Sequence, residues 1–268
     1  MRILTWNLWW RYGPWQQRGE AIASVVAEVA PDVCGFQEVW SAGAENFAAD
    51  LAARLGMHWC WASVLVRGDD RSAGQELRIG NAILSRWPIT EPADVPLPTD
   101  GHPSERRLAL HARVNAPGGC LPFFTTHLSY GPGLSALRVQ QVRALAGFVR
   151  DRAVDCAYPP VVTGDLNAEP ESDELRLLGG VRTAPAVPGL VLFDAWWYAA
   201  PNDPGFTWDR RNGYQGNSVI PDSRIDYILV GMQREGHGLV RSVRLVGTEP
   251  VNGVWPSDHF GVVADLTP

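Results

Sequence analysis

Long apolar runs are missing from this 268-residue chain. No stretch reaches the roughly 18 consecutive apolar residues of a spanning helix, so no membrane span is expected. Positive charge is short as well, with 23 basic against 29 acidic side chains and a formal net charge of -6. A protein that grips polyanions without specificity needs a basic surplus to neutralise phosphates, so that class is excluded. An enzyme that cuts a phosphate ester is not. Cysteine is sparse: Cys34, Cys60, Cys120 and Cys156 lie far apart, with no C-x-x-C and no paired histidine spacing. Neither a zinc knuckle nor a disulfide framework is expected, and buried free thiols are the default. A signal peptide is not expected either, because Asn7 interrupts the apolar segment Ile3 to Trp10 and no small-residue cleavage site follows it. A cytoplasmic protein is the resulting expectation. Four common catalytic or nucleotide signatures are also absent: G-x-S-x-G, H-E-x-x-H, G-x-x-x-x-G-K-[ST] and G-x-G-x-x-G.

What is present is an ordinary globular composition, 46% hydrophobic and 19% charged, with an unusual 12 tryptophans. A chain of this length can bury a large core, and residues 1–268 are read as one domain. Arg2 to Leu8 suits a buried strand. Ile22, Val25, Val26 and Val29 recur at helical spacing within Gln16 to Ala30, where Pro31 ends the pattern. Asp32 to Gln37 reads as the next strand, so strand, helix and strand follow one another, which favours a right-handed crossover. Further helices are expected over Ala44 to Leu55 and Leu134 to Val154. Further strands are expected over Trp59 to Val66, Gly80 to Ser85, Arg107 to Val114, Leu121 to Thr126, Val161 to Gly164, Ile225 to Val230, Val240 to Val246 and Phe260 to Asp265. The proline-rich segment Pro88 to Pro103 reads as an irregular surface connection. This many strands exceed one comfortable sheet, and two packed sheets with helices outside fit better.

The chemistry-bearing residues share one pattern. Apolar strands end abruptly in small clusters of Asp, Glu, Asn and His: Thr5-Trp6-Asn7, Phe36-Gln37-Glu38, Thr126-His127, Thr163-Gly164-Asp165-Leu166-Asn167, Arg224-Ile225-Asp226 and Ser257-Asp258-His259. Convergent carboxylates and amides suit a hard divalent cation, and histidines beside carboxylates suit proton transfer or stabilisation of negative charge. Each residue has a bland reading. Glu38 alone reads as an edge charge, Asp165 and Asn167 as turn residues, His127 as a packed strand end and Asp258-His259 as a cap. Asn7 resists one, because an amide inside an apolar strand needs partners or costs about 1–3 kcal/mol.

In order and in company these motifs, together with Gly80-Asn81-Ala82-Ile83-Leu84-Ser85, Thr126-His127-Leu128 and Arg224-Ile225-Asp226-Tyr227, closely resemble the endonuclease/exonuclease/phosphatase superfamily. The resemblance implies an α/β four-layered sandwich, two packed mixed sheets with helices on the outer faces and the site at one end of the sheets. It implies a phosphoesterase dependent on Mg²⁺ or Mn²⁺, acting on a phosphodiester or phosphomonoester by in-line attack of an activated water. Glu38 is then the principal metal ligand, with Asn7 and Asp258 beside it. Asp165 activates the water, Asn167 holds a phosphate oxygen, and His127 and His259 donate to the non-bridging oxygens, His259 being oriented by Asp226. The partner is a phosphate-ester substrate, with nucleic acid one candidate, and the protein is expected to be a monomer. A nuclease is the alternative, followed by a lipid or sugar-phosphate phosphodiesterase or an inactive binding relative. Abasic-site endonucleases carry a Lys where this chain has Trp40 and a Tyr where it has His127, which weakens that branch. Glu76 is the candidate upstream carboxylate partner of the histidine. Trp9, Trp10, Trp15 and Trp40 are read as core and rim packing, and Arg106, Arg107 and Arg138 stay outside the catalytic set.

Overall fold

The computed structural model describes residues 1–65, 76–102, 105–216, 218–234 and 236–268. The expected strand Trp59 to Val66 therefore ends just outside the described residues, as does Pro103. Thirteen strands and four α-helices are described. In chain order they are β1 (Arg2–Asn7), α1 (Trp15–Val29), β2 (Val33–Ala42), β3 (Glu45–Asn46), α2 (Phe47–Leu55), β4 (His58–Leu65), β5 (Leu77–Ser85), β6 (Ile89–Pro96), β7 (Leu108–Ala116), β8 (Gly119–His127), α3 (Ser135–Arg152), β9 (Val161–Asp165), α4 (Asp173–Gly179), β10 (Leu192–Asp194), β11 (Asp226–Gly231), β12 (Val240–Val246) and β13 (Gly261–Leu266). No described helix is long and apolar enough to cross a membrane.

The strands form two mixed sheets, one ordered β12-β13-β1-β2-β5-β4 with β3 appended to β2, the other ordered β10-β11-β9-β8-β7-β6. The apolar residues divide into three layers, which makes the α/β sandwich four layers deep. Ile3, Val33, Ile83, Phe123, Ile228 and Val262 fill the space between the sheets. Leu4, Phe36, Ile22, Val26 and Leu51 join the first sheet to α1 and α2. Phe124, Val162, Val142, Leu145 and Leu178 join the second to α3 and α4. Strand residues alternate between the two faces, so β1 sends Ile3 inward and Leu4 outward.

Among the described strands only two neighbouring pairs are parallel, β1 with β2 and β8 with β9. Parallel neighbours need a crossover, and α1 and α3 supply it. Each pair therefore has both carboxyl ends on the same edge. The two sheets touch near that edge. A Cβ on Gly35 would lie 2.0 Å from Thr163 Oγ1, so only glycine fits there, and Gln37 reaches across to Thr125 Oγ1 at 2.9 Å.

Two expectations are corrected. Ile89–Pro96 within the proline-rich segment is an edge strand, paired with β7. Prolines are tolerated there because an edge strand leaves N–H groups unpaired, and Pro92 falls in the register shift between Thr90 and Ala93. Cys120 and Cys156 form a disulfide, their Cα atoms 4.8 Å apart. Their separation in sequence hid the pairing, but Cys120 is the second residue of β8 and Cys156 lies just before the parallel β9, so the sheet brings them together. Cys34 and Cys60 are free. The helix expected from Ala44 starts at Phe47, because the Asn46 side chain caps it by accepting from the Ala48 and Ala49 N–H groups. The short α4 and β10 carry too few residues for a periodicity to register.

Candidate active site

The topology lines the polar strand ends up directly. His127 on β8 is in register with Asp165 on β9, and Asp165 with Asp226 on β11. In the other sheet Asn7 is in register with Gln37. Glu38 follows in the left-handed region at φ 53, within the register shift of β2 against β5. Such a bulge turns a side chain off the normal alternation, and here it directs the Glu38 carboxylate to the sheet edge. Seven of the eight expected residues are linked by the contacts that follow. The eighth, Asp258, joins them electrostatically, since its charge is coupled to those of His259, Glu38 and Asp165.

Asn7 bridges the two sheets. Its Nδ2 donates to Glu38 Oε1 at 3.2 Å and to Asp165 Oδ2 at 3.0 Å, while its Oδ1 accepts from the Trp9 N–H at 2.9 Å. In this arrangement Asn7 presents a donor to the carboxylates and its oxygen to the backbone. Asp165 is further held by the Asn167 N–H on Oδ1 at 2.9 Å. The Asn167 amide is itself anchored on the Leu128 carbonyl at 3.1 Å. His259 Nδ1 lies 2.9 Å from Asp226 Oδ2, and its Nε2 faces Asp165 Oδ2 at 3.8 Å. His127 Nε2 lies 3.4 Å from the same Asp165 oxygen, and its Nδ1 lies 3.8 Å from Glu38 Oε1. Ser257 Oγ donates to the Asn7 carbonyl at 2.7 Å and lies 3.3 Å from Asp258 Oδ1, and Gln215 Nε2 donates to Asp258 Oδ2 at 3.1 Å, so Asp258 is fixed from two sides.

The electrostatics split the two histidines. Burial, then the neighbouring Arg107 and His259 charges, hold His127 well below the ordinary histidine value, so it is neutral near pH 7. Arg107 Nη1 donates to its Nδ1 at 3.1 Å, which leaves the proton on Nε2, facing Asp165. His259 is also desolvated, but Asp226, Asp258 and Asp165 together outweigh that and raise it well above the ordinary value. It is a buried cation. Burial and Asp226 push Asp165 up to about 7, and burial with Glu38 pushes Asp258 up to about 7. The protein alone thus leaves its carboxylates under-compensated, and Asp226 Oδ1 is buried without a partner. An oxygen-rich, electron-rich donor set of this kind fits a hard divalent cation.

Asp165, Asp226 and His259 place one donor atom each within 4.8 Å of one another. His259 Nδ1 is committed to Asp226 and its ring is protonated, which leaves the histidine without a free lone pair for chelation. The Glu38 and Asp258 carboxylates remain to hold an ion, with Asn7 alongside.

Several residues escaped the sequence reading. Arg18 is 1% exposed, and all its N–H groups face main-chain carbonyls of Tyr12, Leu8, Pro256, Trp9 and Trp10. It ties the end of β1 to the segment carrying Asp258 and His259. Trp208 lies edge-on to His259, with ring centroids 5.0 Å apart. Arg107, set aside earlier, fixes the His127 tautomer. Glu76 pairs with Arg78 instead of a histidine. Arg138 is buried on Glu174 at 2.9 Å and on the Ser129 and Gly131 carbonyls. Trp10 is buried and Trp15 packs against Trp40, whereas Trp9 lines the cavity in front of the site.

That cavity has a volume of about 770 Å³. It opens on Glu38, His127, Asp165, Asp258 and His259 and continues under the loops that follow β8 and β9.

Comparison with known proteins agrees with this geometry. The model of the Endonuclease/Exonuclease/phosphatase family matches residues 4–259. A solved endonuclease/exonuclease/phosphatase structure from Beutenbergia cavernae superposes with a TM-score of 0.71 at 26% identity, covering 99% of this chain and 71% of that one. A family protein from Leptotrichia buccalis gives 0.74 at 18% identity, covering all of both chains. The human Nocturnin catalytic domain gives 0.72 at 19% identity, covering 100% of this chain and 94% of that one. No curated protein matches the chain. With the family model spanning nearly the whole sequence and every strand-end motif gathered at one sheet edge, the chain belongs to the endonuclease/exonuclease/phosphatase family.

Proposed function

We propose that the protein is a phosphoric ester hydrolase, dependent on Mg²⁺ or Mn²⁺, that attacks phosphorus in line with a water activated at Asp165. The observation that carries this reading is the His259–Asp226 pair at 2.9 Å aimed at the Asp165 carboxylate. A protonated imidazole, oriented by one buried acid and facing a second whose affinity for a proton is raised to about 7, supplies both a donor and a base. Asn167 orients the base through its N–H. Neutral His127, its tautomer set by Arg107, offers Nε2–H to a non-bridging oxygen. These donors are already in place and need no reorganisation as charge develops. Glu38 and Asp258, beside Asn7, would hold the cation, which when bound neutralises the phosphoryl group and acidifies a coordinated water.

Enzymes of this family generally use divalent metal ions, and the acidic site supports the same dependence here. The geometry favours no nuclease action in particular, since a long strand requires a basic track that the acidic balance does not supply. A single domain over 1–268 and a monomer fit the continuous sandwich. For location, the cytoplasmic expectation meets a counter-observation, because the Cys120–Cys156 disulfide suits an oxidising compartment.

The test is kinetic. His259→Ala lowers kcat on bis(p-nitrophenyl) phosphate by roughly 10²–10⁴-fold, and Asp226→Asn by a smaller factor, with circular dichroism unchanged. Full activity in His259→Ala would remove the proposal.

A further inference from the structure

Along the four central strands, the side chains that face the opposite sheet come in layers two residues apart. They run Ile3, Thr5, Asn7 on β1; Val33, Gly35, Gln37 on β2; Phe123, Thr125, His127 on β8; and Val161, Thr163, Asp165 on β9. The first residue of each set belongs to the apolar core between the sheets. A buried layer of three threonines and one glycine therefore separates that core from the strand-end cluster. The Gln37 amide spans this layer. Its Nε2 donates to Thr5 Oγ1 at 3.2 Å and the Gly35 carbonyl at 3.0 Å on its own sheet, and to Thr125 Oγ1 at 2.9 Å on the other. Resting on the phosphoesterase reading, we propose that Gln37 is a positioning residue, its amide the strut that sets the spacing between Glu38 on one sheet and the His127–Asp165 pair on the other.

Burial alone does not require an amide at this position. Gln37 is 0% exposed, and its Oε1 has no partner among the described residues, an arrangement that costs stability. A methionine would fill a similar volume without that cost. The amide orientation is nonetheless forced, because the Gly35 carbonyl can only accept and so must face Nε2.

Glu38 has reason to need a tether on its neighbour. Its left-handed φ of 53 persists only where the surroundings over-determine it. The ladder between β2 and β5 passes from Phe36 to Val39 and skips both Gln37 and Glu38. On the other side β1 holds their carbonyls through the Leu8 and Trp10 N–H groups, and the Gln37 side chain adds the hold across the sheets. The gaps that depend on it are short. Glu38 Oε1 lies 3.8 Å from His127 Nδ1, and Asn7 reaches Glu38 at 3.2 Å and Asp165 at 3.0 Å. Moving reacting groups by about 1 Å can lower a rate by on the order of 10²-fold, so a strut two residues below His127 bears on turnover more than on binding.

Kinetics on bis(p-nitrophenyl) phosphate with the full chain in Mg²⁺ buffer, set beside NMR of the ligand-free protein, test this. Gln37→Met is expected to lower kcat by about tenfold or more while KM changes by less than about threefold. Thr125→Val removes the acceptor on the other sheet and lowers kcat by about threefold or more, whereas Thr125→Ser keeps the hydroxyl and keeps wild-type kcat. Both lesions break one strut, so the double variant falls no further than Gln37→Met alone. Ile3→Val, in the core layer below Thr5, is the control: it lowers Tm and leaves kcat within about twofold of wild type. At pH 7, Gln37→Met shifts the His127 imidazole ¹⁵N resonances on the opposite sheet and Thr125→Val shifts the Glu38 carboxylate ¹³C resonance, while Ile3→Val shifts neither. Thr125→Val decides the matter if Gln37→Met does not fold. Wild-type kcat in Thr125→Val, multiplied losses in the double variant, or an equal loss of kcat in Ile3→Val would overturn the proposal. A wild-type protein that hydrolyses no ester, with both cross-sheet resonance shifts still seen, would instead overturn the phosphoesterase reading and leave the strut standing.

Discussion

Removing the Arg18 side chain tests the scaffold that holds both halves of the site in register. The guanidinium makes five hydrogen bonds of 2.8–3.0 Å, and each goes to a main-chain carbonyl. Three of those carbonyls, on Leu8, Trp9 and Trp10, follow Asn7 directly, and a fourth is on Pro256, two residues before Asp258. Trp9 and Trp10 both occupy the left-handed region, at φ 54 and 36, so this turn is held against its backbone preference. Burial lowers the Arg18 pKa to about 10, which still leaves it charged at pH 7. Arg18→Ala strands buried carbonyls and removes the cation that partly offsets Asp258 and Glu38. Bonds to a charged donor contribute about 1.5–3 kcal/mol each but do not add, so truncation is set at about 4 kcal/mol. With an unfolding entropy of about 2.1 cal/mol/K per residue over the whole chain, that is a fall in Tm of about 7 °C. Arg18→Lys loses more than half of this, because three ammonium protons on a flexible stem cannot reproduce a planar fork. The control is Arg54→Ala, whose bonds to Glu20 and Asp50 are exposed and contribute less than about 1 kcal/mol. Differential scanning calorimetry compares the three. A Tm for Arg18→Ala within 2 °C of wild type (roughly 1 kcal/mol) would refute the reasoning.

Other outcomes follow from the same coordinates. His111 is completely buried against Phe124, with its ring pushed down to about 4 by burial and the nearby Arg152 and Arg113 charges. Because the folded value lies below the unfolded one, the unfolded chain binds the extra proton. The contribution of His111 to stability is therefore complete above about pH 6.5 and is lost, by on the order of 3 kcal/mol, as pH drops to 4. Urea midpoints at pH 7 and 4.5 read this out, and His111→Leu is expected to flatten the difference. Opening the Cys120–Cys156 disulfide frees a loop of 36 residues, for which chain entropy gives about 4 kcal/mol. A melt with dithiothreitol should shift by several degrees, and an unchanged melt would show that the bridge carries no stability. Arg107→Met frees His127 Nδ1 and is expected to lower kcat with little change in KM, because the Nε2–H tautomer is no longer enforced.

Much of this fold was readable because the strands are apolar and their ends are not. Asn7, Glu38, His127, Asp165, Asn167, Asp226, Asp258 and His259 announced themselves by interrupting apolar runs, and parallel pairing explains why such interruptions share an edge. β6 was hidden because its prolines were read as breakers, although on an edge strand they cost no ladder bond. The disulfide was hidden because spacing along the chain says nothing about two segments joined by a crossover. Arg18 left no pattern either, since its partners are carbonyls that every residue possesses. The tautomer of His127 depends on Arg107, twenty residues away and brought close only by the β7–β8 pairing. Contacts of this kind belong to the tertiary structure and become legible only there.

The central claim is that the strand-end cluster is a metal-dependent phosphoesterase centre, and hydrolysis of bis(p-nitrophenyl) phosphate before and after EDTA tests it most directly. The account predicts loss of activity on chelation, recovery with Mg²⁺ or Mn²⁺, and no recovery in Glu38→Ala. Hydrolysis that persists in EDTA, or a fully active Glu38→Ala protein, would contradict it.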